Sequence, residues 1–242
     1  MMKEYDDIAA GHYAAYRPPL HEIILNKCLK HERFKRGLDI GCGTGQSSIA
    51  LSKYGKKIIG IDPSHEMIQK AIPHTNVAYE HYDGSRLFFP DNHFDIITFA
   101  GSLFYGKSQN LLDQAIRVCS NPGVILVYDF QLFLEDLFVE LTINLQPEIS
   151  KYNHAADFSG LRTNQLKEVL WRTELLDFHV NSSNLAHVIL SLPGIYNTLV
   201  GNKPFEDPYP YLKGRLDLLS NNKSHVIKAK VYYRKYRCSK FG

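Results

Sequence analysis

The chain of 242 residues is 44% hydrophobic, 22% charged and 12% aromatic, a balance that suits one large globular core and excludes disordered, collagen-like and coiled-coil chains. No apolar run approaches the roughly 18 residues of a membrane span, and the opening MMKEYDD is acidic where a secretory leader is basic. These features predict a soluble, cytoplasmic protein with no membrane partner. The net charge of +3 hides an asymmetry: residues 223–242 carry seven Lys or Arg and no acid, leaving 21 bases against 25 acids elsewhere. Such an end raises the question of nucleic-acid binding.

Residues 1–35 read as helical, broken at Pro18-Pro19, with Leu20, Ile23, Ile24 and Leu29 forming an apolar stripe after the break. Apolar, β-branched runs then alternate with helical stretches: Gly37–Ile40 and Ser47–Lys53, Lys57–Ile61 and Ser64–Ala71, Val77–His81, Phe94–Ala100 and Gln109–Cys119, and Val124–Tyr128. This alternation predicts an α/β fold, a parallel sheet with helices on both faces. Residues 131–172 read as mostly helical, with an irregular polar stretch around Lys151–Arg162, and Leu175–Val180 as a sixth strand. A helix follows over Asn184–Val200, interrupted at Pro193-Gly194, then a loop at 201–211 with three prolines. In His225–Tyr236, Ile227, Ala229, Val231 and Tyr233 alternate with Lys228, Lys230, Tyr232 and Arg234, the period of a final strand with one wet face. With no linker visible, residues 1–242 read as one domain.

The cysteines, Cys28, Cys42, Cys119 and Cys238, form no close pair, and none of the three His-Glu pairs is followed by the second histidine of a zincin helix. No metal site is expected. The sharpest feature is Leu38-Asp39-Ile40-Gly41-Cys42-Gly43-Thr44-Gly45, an apolar strand running into three alternating glycines and a helix. Such glycines let the backbone turn tightly and let a ligand reach main-chain N–H groups. The spacing G-x-G-x-G differs from the G-x-G-x-x-G of dinucleotide folds and points away from NAD. The second strand ends in Asp62, placed to accept from two ribose hydroxyls, so the expected ligand carries a ribose.

These residues resemble the class I S-adenosylmethionine-dependent methyltransferases, nearest the type-11 small-molecule group. The likeness rests on LDIGCGTGQS at 38–47, IIGIDPSHEMI at 58–68 and YDGSRLFFPDNHFDIITFAGSLFY at 82–105. It implies a Rossmann-like, seven-stranded, mostly parallel sheet with an antiparallel last strand, and S-adenosylmethionine as cofactor. It also implies the backbone of Gly41, Cys42, Gly43, Thr44 and Gly45 around the methionine part and ribose, Asp39 near the α-amino group, and Asp62 with Pro63 at the ribose. Met67 would pack on the adenine, with Asp83, Gly84 and Ser85 at its rim and Ala100 and Gly101 beside the methionine moiety. Tyr16 and Arg17, in an N-terminal lid spanning 1–35, would cover the cofactor. Each position also has a plainer reading: Asp62 as a helix cap, Met67 as core filler, Asp83-Gly84 as a turn.

Methyl transfer from a sulfonium needs alignment more than acid–base help, and the sequence shows no nucleophile elbow. No catalytic residue is assigned; a protic acceptor would call for a base such as His154 or Asp157. Residues 131–172 and 201–211 are the expected walls of the acceptor pocket. Three readings remain: a methyltransferase of a small molecule, an RNA methyltransferase using the basic end with Tyr232, Tyr233 and Tyr236, and a non-catalytic protein that only binds S-adenosylmethionine. The first is favoured over nucleic acid, because a wet strand face accounts for the alternating lysines and no RNA-binding module is recognisable.

Overall fold

The computed structural model describes residues 11–12, 15–16, 18–82, 86–143, 152–192, 194–201, 207–221 and 224–239. Its contacts divide the chain into two compact units. One comprises Pro19–Gln131, Tyr152–Glu174 and Val231–Gly242; the other comprises Met1–Pro18, Leu132–Lys151 and Leu175–Lys230. Among the described residues no helix is long and apolar enough to cross a membrane.

The first unit holds most of a seven-stranded sheet: β1 (Phe34–Ile40), β2 (Gly55–Asp62), β3 (Val77–His81), β4 (Phe94–Ala100), β5 (Cys119–Phe133), β6 (Leu166–Val180) and β7 (His225–Cys238), in the order β3-β2-β1-β4-β5-β7-β6. The β1–β2, β2–β3, β1–β4 and β4–β5 pairs are parallel, and the last strand is antiparallel. Parallel strands covered on both faces need near-continuous apolar sequence. Phe94, Ile96, Ile97 and Phe99 of β4 and Val124–Val127 of β5 are accordingly buried. Helix α1 (Leu20–Leu29) buries Leu20, Ile24, Leu25 and Leu29 at the spacing expected of one helical face. Between β4 and β5, a short helix α4 (Leu103–Gly106) precedes α5 (Gln109–Val118). The latter starts where the Ser108 hydroxyl accepts from the Leu111 N–H at 3.2 Å, a cap contributing about 1 kcal/mol. Its Leu111, Leu112, Ala115, Ile116 and Val118 join the core that holds Leu38, Ile61 and Phe99.

Register delivers the functional residues. Asp39 lies opposite Gly60 on one side and Thr98 on the other, and Asp62 opposite His81. The carboxyl ends of β1, β2 and β4 thus present Ile40, Asp62 and Ala100 along one edge, where open α/β sheets bind ligands.

Four elements differ from the sequence reading. β6 begins at Leu166, inside the stretch read as helical, and only Glu135–Glu140 (α6) is helix among the described residues of 131–172. Leu166–Trp171 is rich in helix formers, but antiparallel pairing overrides that preference at this sheet edge; the Ser239 N–H donates to the Gln165 carbonyl at 2.9 Å. β1 starts at Phe34, because α1 stops at Leu29 and Lys30 takes a positive φ of 47°. Cys119 begins β5 opposite Phe94 and does not end a helix. Residues 208–211, read as loop, open the helix Pro208–Leu219, whose first turn is capped by Asp207 accepting from the Tyr209 N–H and tolerates Pro at its start.

The second unit packs that helix against Ser182–Leu190. His12 and His187 meet Nδ1 to Nδ1 at 2.8 Å, and both stack on Tyr209. Burial lowers both histidines' pKa values; His187 lowers His12 further, partly offset by Asp207. One shared proton suffices for the contact, whereas protonating both rings turns it into repulsion. A histidine whose folded pKa is depressed contributes stability present above its unfolded value and lost as pH falls below it. Melting temperature is therefore expected to fall on acidification from pH 7 towards pH 5, and His187→Gln to flatten that dependence; an identical pH slope in the variant would reject the assignment.

Candidate cofactor and acceptor site

Gly41, Gly43 and Gly45 have φ of 75°, 54° and 92°, the left-handed region that favours glycine. What a side chain would meet differs among them. A Cβ on Gly41 would lie 2.3 Å from Ser102 Cβ, and one on Gly45 2.2 Å from Tyr79 Oη. A Cβ on Gly43 would meet nothing within 4 Å. Protein packing requires the outer two glycines; the middle one borders open space. Beside it Thr44 Oγ1 is buried with no hydrogen-bond partner among the described residues. An open cradle next to an orphaned hydroxyl fits a polar ligand against the loop.

The loop is tied from both sides. The Gly41 and Cys42 N–H groups donate to the Ile61 carbonyl at 2.8 and 3.0 Å. Asp62 accepts from the Gly43 N–H on Oδ2 at 2.8 Å and from the Ser64 N–H on Oδ1 at 2.9 Å. The helix cap is Ser64, whose hydroxyl accepts from the Met67 N–H. Each Asp62 oxygen retains a further lone pair for a ribose hydroxyl. Asp62→Ala is expected to weaken S-adenosylmethionine by about 1–3 kcal/mol, with Asp62→Asn intermediate because it still accepts from the loop; unchanged calorimetric affinity in folded Asp62→Ala would leave Asp62 as a loop tie alone.

Asp39 is fully buried, its carboxylate accepting from Ser47 (2.5 Å), Ser48 (2.7 Å) and Thr98 (2.7 Å). Burial pushes its pKa up and the three hydroxyls pull it back. With that geometry Asp39 fastens the start of the α2 helix (Gln46–Leu51) and β4 to β1; its described contacts are all internal. Cys42 is buried, its thiol pushed up first by burial and then by Asp39, which suits packing and not chemistry.

Met67 is half-buried in the short helix α3 (His65–Gln69), Pro63 is exposed, and Ala100 and Gly101 are half-buried where β4 ends. Tyr16 is half-buried in the second unit. Arg17, Asp83, Gly84 and Ser85 lie outside the described residues, as do 144–151 and 202–206 of the expected acceptor walls. Sequence reasoning missed Tyr79 and Ser102. Tyr79 donates to the Ile72 carbonyl at 3.0 Å and packs on Gly45; Ser102 donates to the Ile40 carbonyl and packs on Gly41. Tyr79 sits opposite Gly60 in the β2–β3 register, and nothing local in the sequence marks it.

Beside Gly101, Asp129 of β5 accepts from Tyr152 Oη at 2.8 Å and His154 Nδ1 at 2.9 Å on Oδ2, and from the Phe130 N–H at 2.7 Å on Oδ1. Tyr152 Oη also lies 2.7 Å from the Gly101 carbonyl. Asp157, the other candidate base, pairs with Arg234 at 2.9 Å. Burial would push its carboxyl up, but the hydrogen bonds from Ser159 and the Arg234 charge hold it below the ordinary value, a poor setting for a base.

A sheet of this order, with a glycine-rich turn after β1 and a carboxylate ending β2, defines a nucleoside-binding α/β protein. A family model described as a methyltransferase domain matches residues 38–123. An uncharacterized methyltransferase of Bacillus pumilus is 31% identical over 163 residues, 65% of this chain and 72% of that one. A Dictyostelium discoideum protein provisionally assigned as a methyltransferase is 25% identical over 218 residues, 88% and 80% of the two chains. In structure, a protein of Anaeromyxobacter dehalogenans described provisionally as a type II methyltransferase superposes with a TM-score of 0.62 at 16% identity, over 93% of this chain and 98% of that one; at that identity the likeness concerns fold. The chain belongs to the class I S-adenosylmethionine-dependent methyltransferases.

Proposed function

We propose that this methyltransferase acts on a small-molecule acceptor, with the cofactor held by the loop 41–45 and Asp62 and the acceptor admitted beside Gly101. The observation that carries the cofactor placement is the contrast among the three loop glycines: of Gly41, Gly43 and Gly45, Gly43 alone faces space open among the described residues, directly beside the Asp62 carboxylate that fixes its N–H. Bound there, S-adenosylmethionine supplies a methyl group on a sulfonium, an excellent leaving group. The chain's own part is to hold the loop rigid, offer N–H groups and the free lone pairs of Asp62, and align an acceptor.

The basic end supports a small acceptor over RNA. Arg234 is paired with Asp157 and Glu168, Lys235 is buried against Glu32, and Arg237 also reaches Glu32. Tyr233 and Tyr236 are buried. Three of the seven cations there are thus neutralised internally and two of the three tyrosines are unavailable for stacking on bases. The test is incubation with methyl-labelled S-adenosylmethionine and, separately, a metabolite extract and bulk RNA. Label is expected in the small-molecule fraction; label in RNA, or in neither fraction by a protein that binds the cofactor, would overturn the reading.

A further inference from the structure

We propose that His154, oriented by Asp129, is the proton acceptor for a phenolic substrate whose ring rests among Phe104, Tyr105 and Tyr152. The inference rests on the methyltransferase reading above and adds the acceptor class and a base.

The tautomer follows from the partners. A carboxylate only accepts, so the bond to Asp129 places the proton on His154 Nδ1 and leaves the lone pair on Nε2. Among the described residues the polar contact of His154 is at Nδ1, and its ring neighbours are Tyr152, edge-on at 4.7 Å, and Tyr232, stacked at 6.2 Å. Asp129 is not itself the base, because its oxygens already accept from Phe130 N–H, Tyr152 Oη and His154. It is a positioning residue, and its charge faces the imidazolium that forms. Among the described residues that line the adjoining depression, the further charged one is Arg234, already paired with Asp157 and Glu168.

Placement links the pair to the cofactor edge. A Cβ on Gly101, the residue after β4, would stand 3.1 Å from Asp129 Oδ1 and 3.7 Å from Tyr152 Oη. Phe99, Gly101, Phe104, Asp129, Tyr152 and His154 line one depression. Phe104 lies 4.8 Å and Tyr105 5.3 Å from the Tyr152 ring, centroid to centroid, and the two are 38% and 79% exposed. Exposed aromatic faces beside a base suit a flat ring carrying a hydroxyl. A carboxylate acceptor has no proton to give up and would bring a second negative charge towards Asp129.

In the step, the acceptor O–H bond breaks and its proton passes to His154 Nε2. The oxygen electron pair forms the new bond to the methyl carbon while the methyl–sulfur pair stays on sulfur, neutralising the sulfonium. Imidazolium then returns the proton to solvent.

4-Nitrocatechol is a direct probe, because its ionisation is visible. With S-adenosylhomocysteine present, the wild-type protein is expected to bind it with phenolate absorption at a pH where the free compound is protonated. His154→Gln and Asp129→Asn should lose that shift while binding S-adenosylmethionine within threefold of wild type. Turnover of 4-nitrocatechol should fall by about 10²–10⁴ in His154→Gln, with the ascending limb of its pH profile lost. Equal turnover and an equal spectral shift in His154→Gln would overturn the base. Failure of the wild type to bind or methylate 4-nitrocatechol, or methylation of benzoate in its place, would overturn the acceptor class while cofactor binding stands. A wild-type protein that does not bind S-adenosylmethionine would instead sink the reading beneath it.

Discussion

Gly43→Val is expected to leave the chain folded and to weaken S-adenosylmethionine binding at least about 100-fold, a loss of about 2.7 kcal/mol. The new side chain enters space that the protein leaves open, so the apo fold bears only the strain of a branched residue at φ 54°, about 1–2 kcal/mol. On the proposed placement of the cofactor the rest of the cost falls on binding, since the Cβ branch would stand where its backbone-hugging portion passes. Gly41→Ala should behave oppositely. Its Cβ would overlap Ser102 at 2.3 Å, so the cost falls on stability, about 2–4 kcal/mol from overpacking and backbone strain. Calorimetric titration beside urea unfolding separates the two. Normal affinity in Gly43→Val would show that the ligand does not approach this turn.

Asp39→Ala should remove about 3–5 kcal/mol of stability. The carboxylate is the shared partner of Ser47, Ser48 and Thr98 at 0% exposure. Deleting it strands three hydroxyls away from water, at about 1–3 kcal/mol each before they re-aim, and opens a cavity. Thr98→Val in the Asp39→Ala background should then cost much less than in the wild type, the signature of one coupled network. If Asp39 served the cofactor's amino group instead, urea unfolding would barely change while cofactor affinity fell.

These contrasts also mark how far the sequence was legible. The glycine turn and Asp62 stand out in the sequence because their placement is local: each sits within a few residues of a strand end whose apolar run identifies it. The direction of the last strand followed from the resemblance, and its wet face, Lys228 to Arg234, from simple alternation. Tyr79, Thr98, Ser102 and Asp129 carried no local mark. Tyr79 and Thr98 are placed by pairing register, opposite Gly60 and Asp39, and Ser102 and Asp129 by the turn that ends β4 and by the neighbouring strand β5; these are properties of the assembled sheet. β6 was partly hidden for a related reason: Leu166, Lys167 and Glu168 favour helix in isolation, and only β7 beside them makes them a strand. Asp157 had the chemistry of a base on paper; its pairing with Arg234, 77 positions along the chain, removed it.

The strand order has a consequence for synthesis. β7 lies between β5 and β6, although it is made after both. A nascent chain carrying β1 to β5 can pair those strands in parallel as they appear, but β6 has no neighbour in the sheet until residues 225–238 leave the ribosome. At about 5–20 residues per second the 44 residues between Val180 and His225 take several seconds. Throughout that interval β5 presents an unpaired edge along an apolar strand, the template on which chains join one another. Crowding of nascent chains on one message, or a stalled ribosome before residue 225, should therefore trap this protein as aggregates more readily than heating the finished molecule, whose β5 edge is already closed.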